Sequence, residues 1–329
     1  MSAYRRAVGI GWVLLIAVAA GYARWKAVPV GIALPLILAF LVEFPMYLLP
    51  GFRAARDAFM VGGKVRAAGL LAASAVLPWL IYAVGTGHFS LAAFGLLCCI
   101  AVTLCFWYVA FPAGAAADLI YLGLFAAILL FKVFAKVYPP LRWLLALGAP
   151  MPKLDVSVLG HAMLIRVMAL SITAIRGRAG ADYRFWPTRG EWIAGVKWFG
   201  VLMPATAATY WGLGLMVLRA HPLNIVLVVG TFFGILWVTA LSEEFIFRGL
   251  LQPWIEGWTS SAVAGLVVAS LLFGSVHLGF HGPFPNWRFS LTAAVMGFFC
   301  GLARRQTGGI QAGMVAHALT VAVWKMFLV

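Results

Sequence analysis

The stretch FSLAAFGLLCCIAVTLCFWYVAF, residues 89–111, runs for 23 positions without Asp, Glu, Lys or Arg. About 20 apolar helical residues suffice to cross the hydrocarbon core of a bilayer. Similar runs occupy residues 7–23, 28–50, 67–87, 115–135, 193–218, 223–247, 260–280, 289–303 and 309–328, and the more polar run 157–175 is ambiguous. Together they predict an all-α fold, a polytopic transmembrane helical bundle of eight to eleven spans.

The composition supports a membrane protein. Apolar residues make up 64% of the 329 positions, charged residues only 10%, and the mean hydropathy is +1.01. The net charge of +15 comes from short basic clusters between the apolar runs, without a continuous basic face. Such clusters orient spans in a bilayer, so we expect the lipid bilayer as a partner and no nucleic acid.

The longest polar stretch divides the chain. Residues 176–192 contain four arginines together with helix-breaking glycine and proline, and form a predicted basic loop. The domains on either side are 1–175, N-terminal transmembrane helices of unassigned role, and 193–329, a C-terminal bundle. Two glycine pairs at a spacing of four predict close helix packing: Gly230 with Gly234, and Gly297 with Gly301.

Ionisable side chains inside the apolar runs are the most informative residues, since each costs about 2.5 kcal/mol or more at membrane depth. Those of the N-terminal part share no spacing, and we interpret them as structural or interfacial: Glu43, Asp118, Lys132 and Lys136. The C-terminal part differs, because TALSEEFIFRG at residues 239–249 brings two acids and one base together.

The spacing within this segment assigns different surroundings to its two glutamates. Glu244 and Arg248 are four apart and share a helical face, which predicts an ion pair. Glu243 points about 100° away, so it is free to face a cavity. One carboxylate is therefore expected to be anchored and its neighbour accessible.

Histidines follow on the next helices. LLFGSVHLGFHG places Phe273 and His277 four apart on one face, and His281 either extends that face or lies in the following loop. His317 stands in the middle of the last apolar run. A carboxylate near imidazoles and shielded from bulk water can activate a water molecule for attack on a carbonyl. With no serine in a nucleophile-elbow motif and no cysteine expected beside this cluster, direct attack by water is favoured over a covalent acyl-enzyme.

These residues resemble the motifs of the CPBP family, also called ABI or CAAX-protease-like, which contains the Rce1-type prenyl-protein endoproteases. The likeness covers about residues 230–325 and consists of EExxxR at 243–248, FxxxH at 273–277, and the final-helix His317. It implies a membrane-embedded, glutamate-dependent endopeptidase acting on a membrane-bound or lipid-modified protein or peptide. It also implies a multi-pass location, in the cytoplasmic membrane of a bacterium.

By this resemblance Glu243 is the water-activating base, and its catalytic partners are Glu244, Arg248, His277 and His317. Phe273 and Thr320 are implied as substrate-binding residues. The family's last motif commonly continues as HxxxN or HxxxD, whereas Val321 occupies that position here. Thr320 is a candidate substitute for the missing polar group.

Three alternatives stay open at the level of sequence. No cofactor is expected, but Glu243, His277 and His317 match the three protein ligands of a catalytic zinc site, although Arg248 would repel a divalent ion. A proton-coupled transporter would use the same ionisable groups as a relay. A catalytically inactive membrane scaffold or sensor is made plausible by Val321.

Overall fold

The computed structural model describes residues 1–142, 153–177, 183–215 and 225–327. Parts of the predicted loop 176–192 and of the runs 193–218, 223–247 and 309–328 lie outside these residues. The chain divides into two compact units, Met1–Ala179 and Gly180–Val329. Helices dominate both, which confirms the predicted all-α class.

The first unit contains eight α-helices within the described residues, and a short 3-10 helix, Leu49–Gly51, follows the second of them. They are α1 Ser2–Trp25, α2 Val30–Leu48, α3 Arg53–Phe59, α4 Gly63–Gly85, α5 Leu91–Ala110, α6 Ala115–Leu130, α7 Val133–Val137 and α8 Val158–Leu170, the last continued by a π-helical turn, Ser171–Ile175. A single short ribbon pairs β1, Leu141–Arg142, antiparallel with β2, Lys153–Leu154. The helix α2 packs on α1, α4 and α8.

Two ion pairs hold the buried carboxylates of this unit. Arg166 binds both carboxylate oxygens of Glu43, at 2.5 and 3.0 Å, and donates two further hydrogen bonds to Ser74. Arg176 binds both oxygens of Asp118, at 2.7 and 2.6 Å. Glu43 and Asp118 are therefore held by arginines, in agreement with the structural interpretation of both residues.

The second unit begins with a long helix and contains a broken one. Its elements are α9 Arg189–Gly212, α10 Ile225–Gly234, a π-helical segment Ile235–Ala240, α11 Leu241–Glu244, a second π-helical segment Phe245–Leu251, α12 Gln252–Thr259, α13 Ala262–Ser275, α14 Trp287–Thr307 and α15 Gln311–Phe327. The helix α15 packs on α9 and α14, and α13 packs on α14 and α12.

Side-chain caps fix where these helices start. Thr188 and Glu191 form a capping box at α9, Ser261 accepts from the Ala264 N–H at α13, and Asn286 accepts from the Phe289 N–H at α14. The left-handed Gly308, with φ of 76°, then ends α14.

Six helices in the described residues are long and apolar enough to cross a membrane. They are Ser2–Trp25, Val30–Gly51, Gly63–Gly85, Leu91–Ala110, Val158–Ile175 and Val228–Thr259. Ala115–Leu130 and Ala262–Ser275 are shorter apolar helices. This set is compatible with the predicted span count and includes the run 157–175, whose role the sequence left ambiguous. The molecule is an integral membrane protein.

One of the two glycine predictions is right. A Cβ on Gly297 would stand 2.8 Å from Arg248 Nη2, and one on Gly301 would stand 2.4 Å from Leu266, so both glycines allow close packing. Nothing lies within 4 Å of a Cβ on Gly230 or Gly234 in the described structure, and that prediction is wrong. The spacing alone does not reveal which face of a helix meets a neighbour.

Candidate active site

The paired glutamates lie in an interrupted helix. Glu243 and Glu244 end α11, a single α-helical turn between two π-helical segments. Such segments are rare and are frequently found at functional sites, and their wider i to i+5 bonding rotates the following side chains relative to a regular helix. The backbone is thus irregular on both sides of the two carboxylates.

Glu244 is fully buried and anchored. Its Oε1 accepts from Arg248 Nη1 at 3.2 Å, the predicted i,i+4 ion pair, and from His317 Nδ1 at 2.9 Å. Because a carboxylate oxygen accepts, Nδ1 of His317 carries the hydrogen. Glu244 thereby fixes the orientation of an imidazole 73 residues further along the chain.

Glu243 faces the other way, as the helical repeat predicts. Its side chain is 27% exposed, against 0% for Glu244, and it lines a cavity. Its Oε2 lies 3.7 Å from Nε2 of His317. His317 therefore stands between the two carboxylates, with one ring nitrogen turned to each.

His277 and Phe273 pack against each other beside this cluster of carboxylates and imidazole. His277 Nδ1 donates to the Phe273 carbonyl oxygen at 2.7 Å, so its Nε2 is the nitrogen left for other partners. The Phe273 ring lies 4.4 Å from the Arg248 guanidinium and 4.7 Å from the His277 ring. Phe273 is completely buried and is not among the cavity-lining residues, so its position is that of a packing residue.

The cavity has a volume of about 240 Å³ and lies entirely within the second unit. Glu243, His277 and His317 line it, whereas Glu244 and Arg248 lie behind them. The structure thus brings the five predicted catalytic residues together, three of them at the cavity wall and two buried behind these three. Only the three residues at the wall can touch a molecule in the cavity.

Thr320 and Val321 both line the cavity one turn beyond His317. The Thr320 hydroxyl donates to the Ala316 carbonyl oxygen at 2.8 Å, so its hydrogen is already bound. Val321 offers no polar atom. The wall formed by this turn is therefore poor in free hydrogen-bond donors.

Cys300 corrects one expectation from the sequence. Its Sγ lies with Glu244 and His317 in a buried group whose possible ligand atoms are all within 4.8 Å of one another. A cysteine therefore does accompany the cluster. It is fully buried and does not line the cavity, so it has no path to a substrate carbonyl, and the reasoning against a covalent acyl-enzyme still holds.

Sequence reasoning missed several cavity residues contributed by other helices and a loop. His281 lies in the loop after α13 rather than on its face, and has a left-handed backbone with φ of 54°. Further lining residues include Tyr210, Thr239, Phe289, Trp324 and Lys325. Of these residues, only Thr239 could have been predicted from local spacing, since it precedes Glu243 by four positions and therefore lies on the same helical face.

The fold and this site define a polytopic helical membrane protein with a carboxylate and imidazole cluster inside one of its bundles. Residues 224–323 match the family model described as Rce1-like, type II CAAX prenyl endopeptidase Rce1-like. The resemblance inferred from the three motifs is confirmed for this segment, which is just under a third of the chain.

One curated protein is similar to part of the chain. The uncharacterized protein YpbD of Bacillus subtilis (strain 168) is 32% identical over 85 residues, 26% of this chain and 39% of that protein. The chain thus spans about two fifths of the length of the relative it matches. No solved structure matches the chain.

Proposed function

We propose that the second unit is an intramembrane endopeptidase in which Glu243 activates water to hydrolyse a peptide bond. One observation carries the proposal. Glu243 is the accessible carboxylate of the pair, 3.7 Å from His317 Nε2, while Glu244 is buried and bound to a cation. The Rce1-like match of residues 224–323 supports the same class of reaction.

The attacking water would lie between Glu243 and His317. In the tautomer of His317 that carries its hydrogen on Nδ1 alone, Nε2 is a hydrogen-bond acceptor, as is the Glu243 carboxylate oxygen 3.7 Å away, so two acceptors face each other. A water molecule donating one hydrogen to each is held by both. Glu243 takes one proton as the water oxygen bonds to the substrate carbonyl carbon.

The resulting oxyanion needs a donor, and Thr239 is the best candidate on the wall. Four threonines line the cavity: Thr206, Thr239, Thr292 and Thr320. Three of them donate their hydroxyl hydrogen to a backbone carbonyl of their own helix. Thr239 makes no such bond in the described residues. Its free hydroxyl, one turn before Glu243, takes the place of the polar partner absent at Val321.

The tetrahedral intermediate then collapses. The carbon–nitrogen bond breaks, the oxyanion returns to a carbonyl, and the proton held by Glu243 passes to the leaving amine nitrogen. Nε2 of His277 accepts a hydrogen bond from the substrate N–H and orients it. Glu244 and Arg248 act indirectly, as positioning residues that hold His317.

Zinc fits these residues poorly, and no step is derived through it. Among the described residues, the group close enough to hold a metal ion is Glu244, Cys300 and His317, not the set Glu243, His277 and His317. Arg248 lies 3.2 Å from Glu244 and would repel a divalent ion. We therefore propose a reaction that uses no metal, so chelators should leave peptide cleavage unchanged.

The substrate is proposed to be a membrane-associated or lipid-modified protein, and the location the cytoplasmic membrane of a bacterium. The cavity wall is mainly apolar, with Met203, Met296 and Phe289 among its lining residues. Such a wall suits a chain that reaches the site from the bilayer rather than from water.

Comparative membrane proteomics of wild-type and Glu243→Gln cells tests the proposal. We expect an unprocessed protein that accumulates only in the Glu243→Gln strain and is cleaved by the purified wild-type protein. Glu256→Gln is the matched control, since Glu256 belongs to the same unit but pairs with Arg304 outside the cavity. Cleavage that persists in purified Glu243→Gln protein would exclude Glu243 as the base.

A catalytically inactive scaffold or sensor is the second candidate, because Val321 leaves the last helix without its expected polar group. It predicts that Glu243→Gln cells keep the wild-type phenotype and membrane proteome while a deletion strain does not. That pattern would replace the endopeptidase proposal.

A further inference from the structure

The first unit contains a groove that the proposed reaction does not use. It lies between α5 and α6 and has a volume of about 280 Å³. Five residues of α5 line one side, at the spacing i, i+3, i+4, i+7 and i+8 of a single helical face: Leu96, Cys99, Ile100, Thr103 and Leu104. Leu124 and Ile128 of α6 line the other side. Apart from the threonine, these lining residues are apolar.

The groove opens sideways, towards the bilayer. Beyond one end of it α5 and α6 are joined, since Trp107 Nε1 donates to the Ala117 carbonyl oxygen at 3.0 Å, and at the other end α7 packs on both helices. Between these contacts Leu96, Cys99 and Thr103 of α5 are exposed. Because α5 is long and apolar enough to span the membrane, a molecule in the groove enters it from the hydrocarbon core.

A lysine stands at the α7 end of the groove. Phe131 and Val133, the two neighbours of Lys132 in the chain, both line the groove. Lys132 is exposed and has no ion pair among the described residues, and no acidic residue lines the groove. Its backbone is left-handed, with φ of 50°, a conformation that a lysine adopts only at a cost in free energy. Lys136, one helical turn further along α7, is a second exposed base.

The dimensions and the charge of the groove fit a lipid with an anionic headgroup. From Leu96 to Leu104 it runs for about 12 Å along α5, and the hydrocarbon part of one leaflet is about 15 Å thick. An acyl chain gains little by moving from lipid to an equally apolar wall, so the wall alone does not select one lipid over another. A lysine near a helix end extends to the headgroup level and favours an anionic lipid by about fivefold. Lys132 therefore supplies the selectivity that the apolar wall lacks.

We propose that this groove binds one acyl chain of an anionic phospholipid from the surrounding bilayer, and that Lys132 binds the phosphate of its headgroup. Lys136 adds to the positive potential at the same end. The site belongs to the first unit and does not depend on the endopeptidase proposal for the second. It assigns a function in lipid binding to the N-terminal helices, whose role the sequence left open.

Photocrosslinking in phosphatidylcholine nanodiscs locates the lipid. The probes are phosphatidylglycerol and phosphatidylcholine with a diazirine on one acyl chain, and mass spectrometry maps the adducts. We expect adducts at residues 96–104 and 124–133, about fivefold more abundant with phosphatidylglycerol. Lys132→Asn removes the charge with a residue that tolerates the left-handed backbone and should abolish this excess, whereas Lys132→Arg should retain it. Lys64→Asn, at an exposed lysine of the same unit outside the groove, is the matched control. Cys99→Trp fills the groove and should remove the adducts of both probes.

Adducts spread evenly over the other apolar helices would overturn the proposal, because they would indicate ordinary bilayer lipid only. Equal labelling of the groove by both probes would also overturn it, as would a phosphatidylglycerol excess that survives Lys132→Asn. Thermal unfolding separates binding from folding, since Lys132→Asn should melt no lower than wild type. Competition needs no variant: excess unlabelled phosphatidylglycerol should suppress the groove adducts in the wild-type protein, and failure to do so would refute a specific site.

Discussion

Replacing Arg248 by methionine should strongly destabilise the second unit. Arg248 and Glu244 are 1% and 0% exposed and 3.2 Å apart, so removing the cation leaves a buried carboxylate without its ion pair, and its Oε1 keeps the hydrogen bond from His317 Nδ1. Breaking a buried ion pair from one side costs about 3–5 kcal/mol. The contact of the guanidinium with Phe273, at 4.4 Å, is lost as well.

Thermal unfolding of the purified protein in detergent measures the effect. For a unit of this size each kcal/mol corresponds to roughly 2–4 °C, so the melting temperature should fall by roughly 6–20 °C. The control is Arg304→Met, whose pair with Glu256 has a similar distance, 3.3 Å, but side chains that are 19% and 22% exposed. A pair of this kind contributes about 0–1 kcal/mol, and the control should melt within roughly 4 °C of wild type.

The double variant Glu244→Gln with Arg248→Met separates an unpaired charge from simple loss of packing. It removes both charges, and the glutamine oxygen can still accept from His317, so most of the lost stability should return. The reasoning is refuted if the double variant melts as low as Arg248→Met, or if Arg248→Met behaves like Arg304→Met.

Three further changes test the site and its surroundings. Thr239→Val should lower kcat for peptide cleavage about a hundredfold, whereas Thr320→Val should leave it near wild type. Gly313→Ala should reduce both cleavage and melting temperature, because its methyl group would stand 2.9 Å from Glu244 Oε2. Burial raises the pKa of Glu191, but hydrogen bonds at its helix start outweigh this and hold it below 4.5. Its ionised form therefore stabilises the fold above about pH 4.5 and ceases to do so as the pH falls further, so Glu191→Gln should flatten the acid side of the melting-temperature profile.

The spacing of residues along the sequence was sufficient to predict the contacts that form within one helical turn of the site. The ion pair between Glu244 and Arg248 and the opposite direction of Glu243 both follow from the helical repeat, which acts within one turn. The membrane class followed equally directly, because the apolar runs need no tertiary information. The contact of His317 with Glu244 joins residues on helices far apart in the chain, and no local rule fixes such a pairing.

The cavity wall could not be predicted for the same reason. Tyr210 reaches it from α9 and Trp324 from the end of α15, so the lining depends on how these helices pack. The two π-helical segments also escaped prediction, because apolar side chains at a period of 3.6 residues do not reveal one extra residue in a turn. Cys300, which the sequence analysis did not expect beside the cluster, is buried against Glu244 through the packing of α14 on the broken helix.

Val321 was the main argument against catalysis, because the family resemblance predicts a polar residue at this position. The position of Thr239 suggests which residue supplies the missing polar group. A polar side chain at 321 would extend from the last helix, whereas the free hydroxyl of Thr239 extends from the helix that carries Glu243. A donor and a base on one helix keep a fixed separation even if the last helix shifts. Under the proposed function, an apolar residue at 321 leaves this part of the cavity wall suited to uncharged substrate residues. Introducing Val321→Asn should accordingly rescue the cleavage lost in Thr239→Val, and failure of this rescue would mean that the two positions do not share one role.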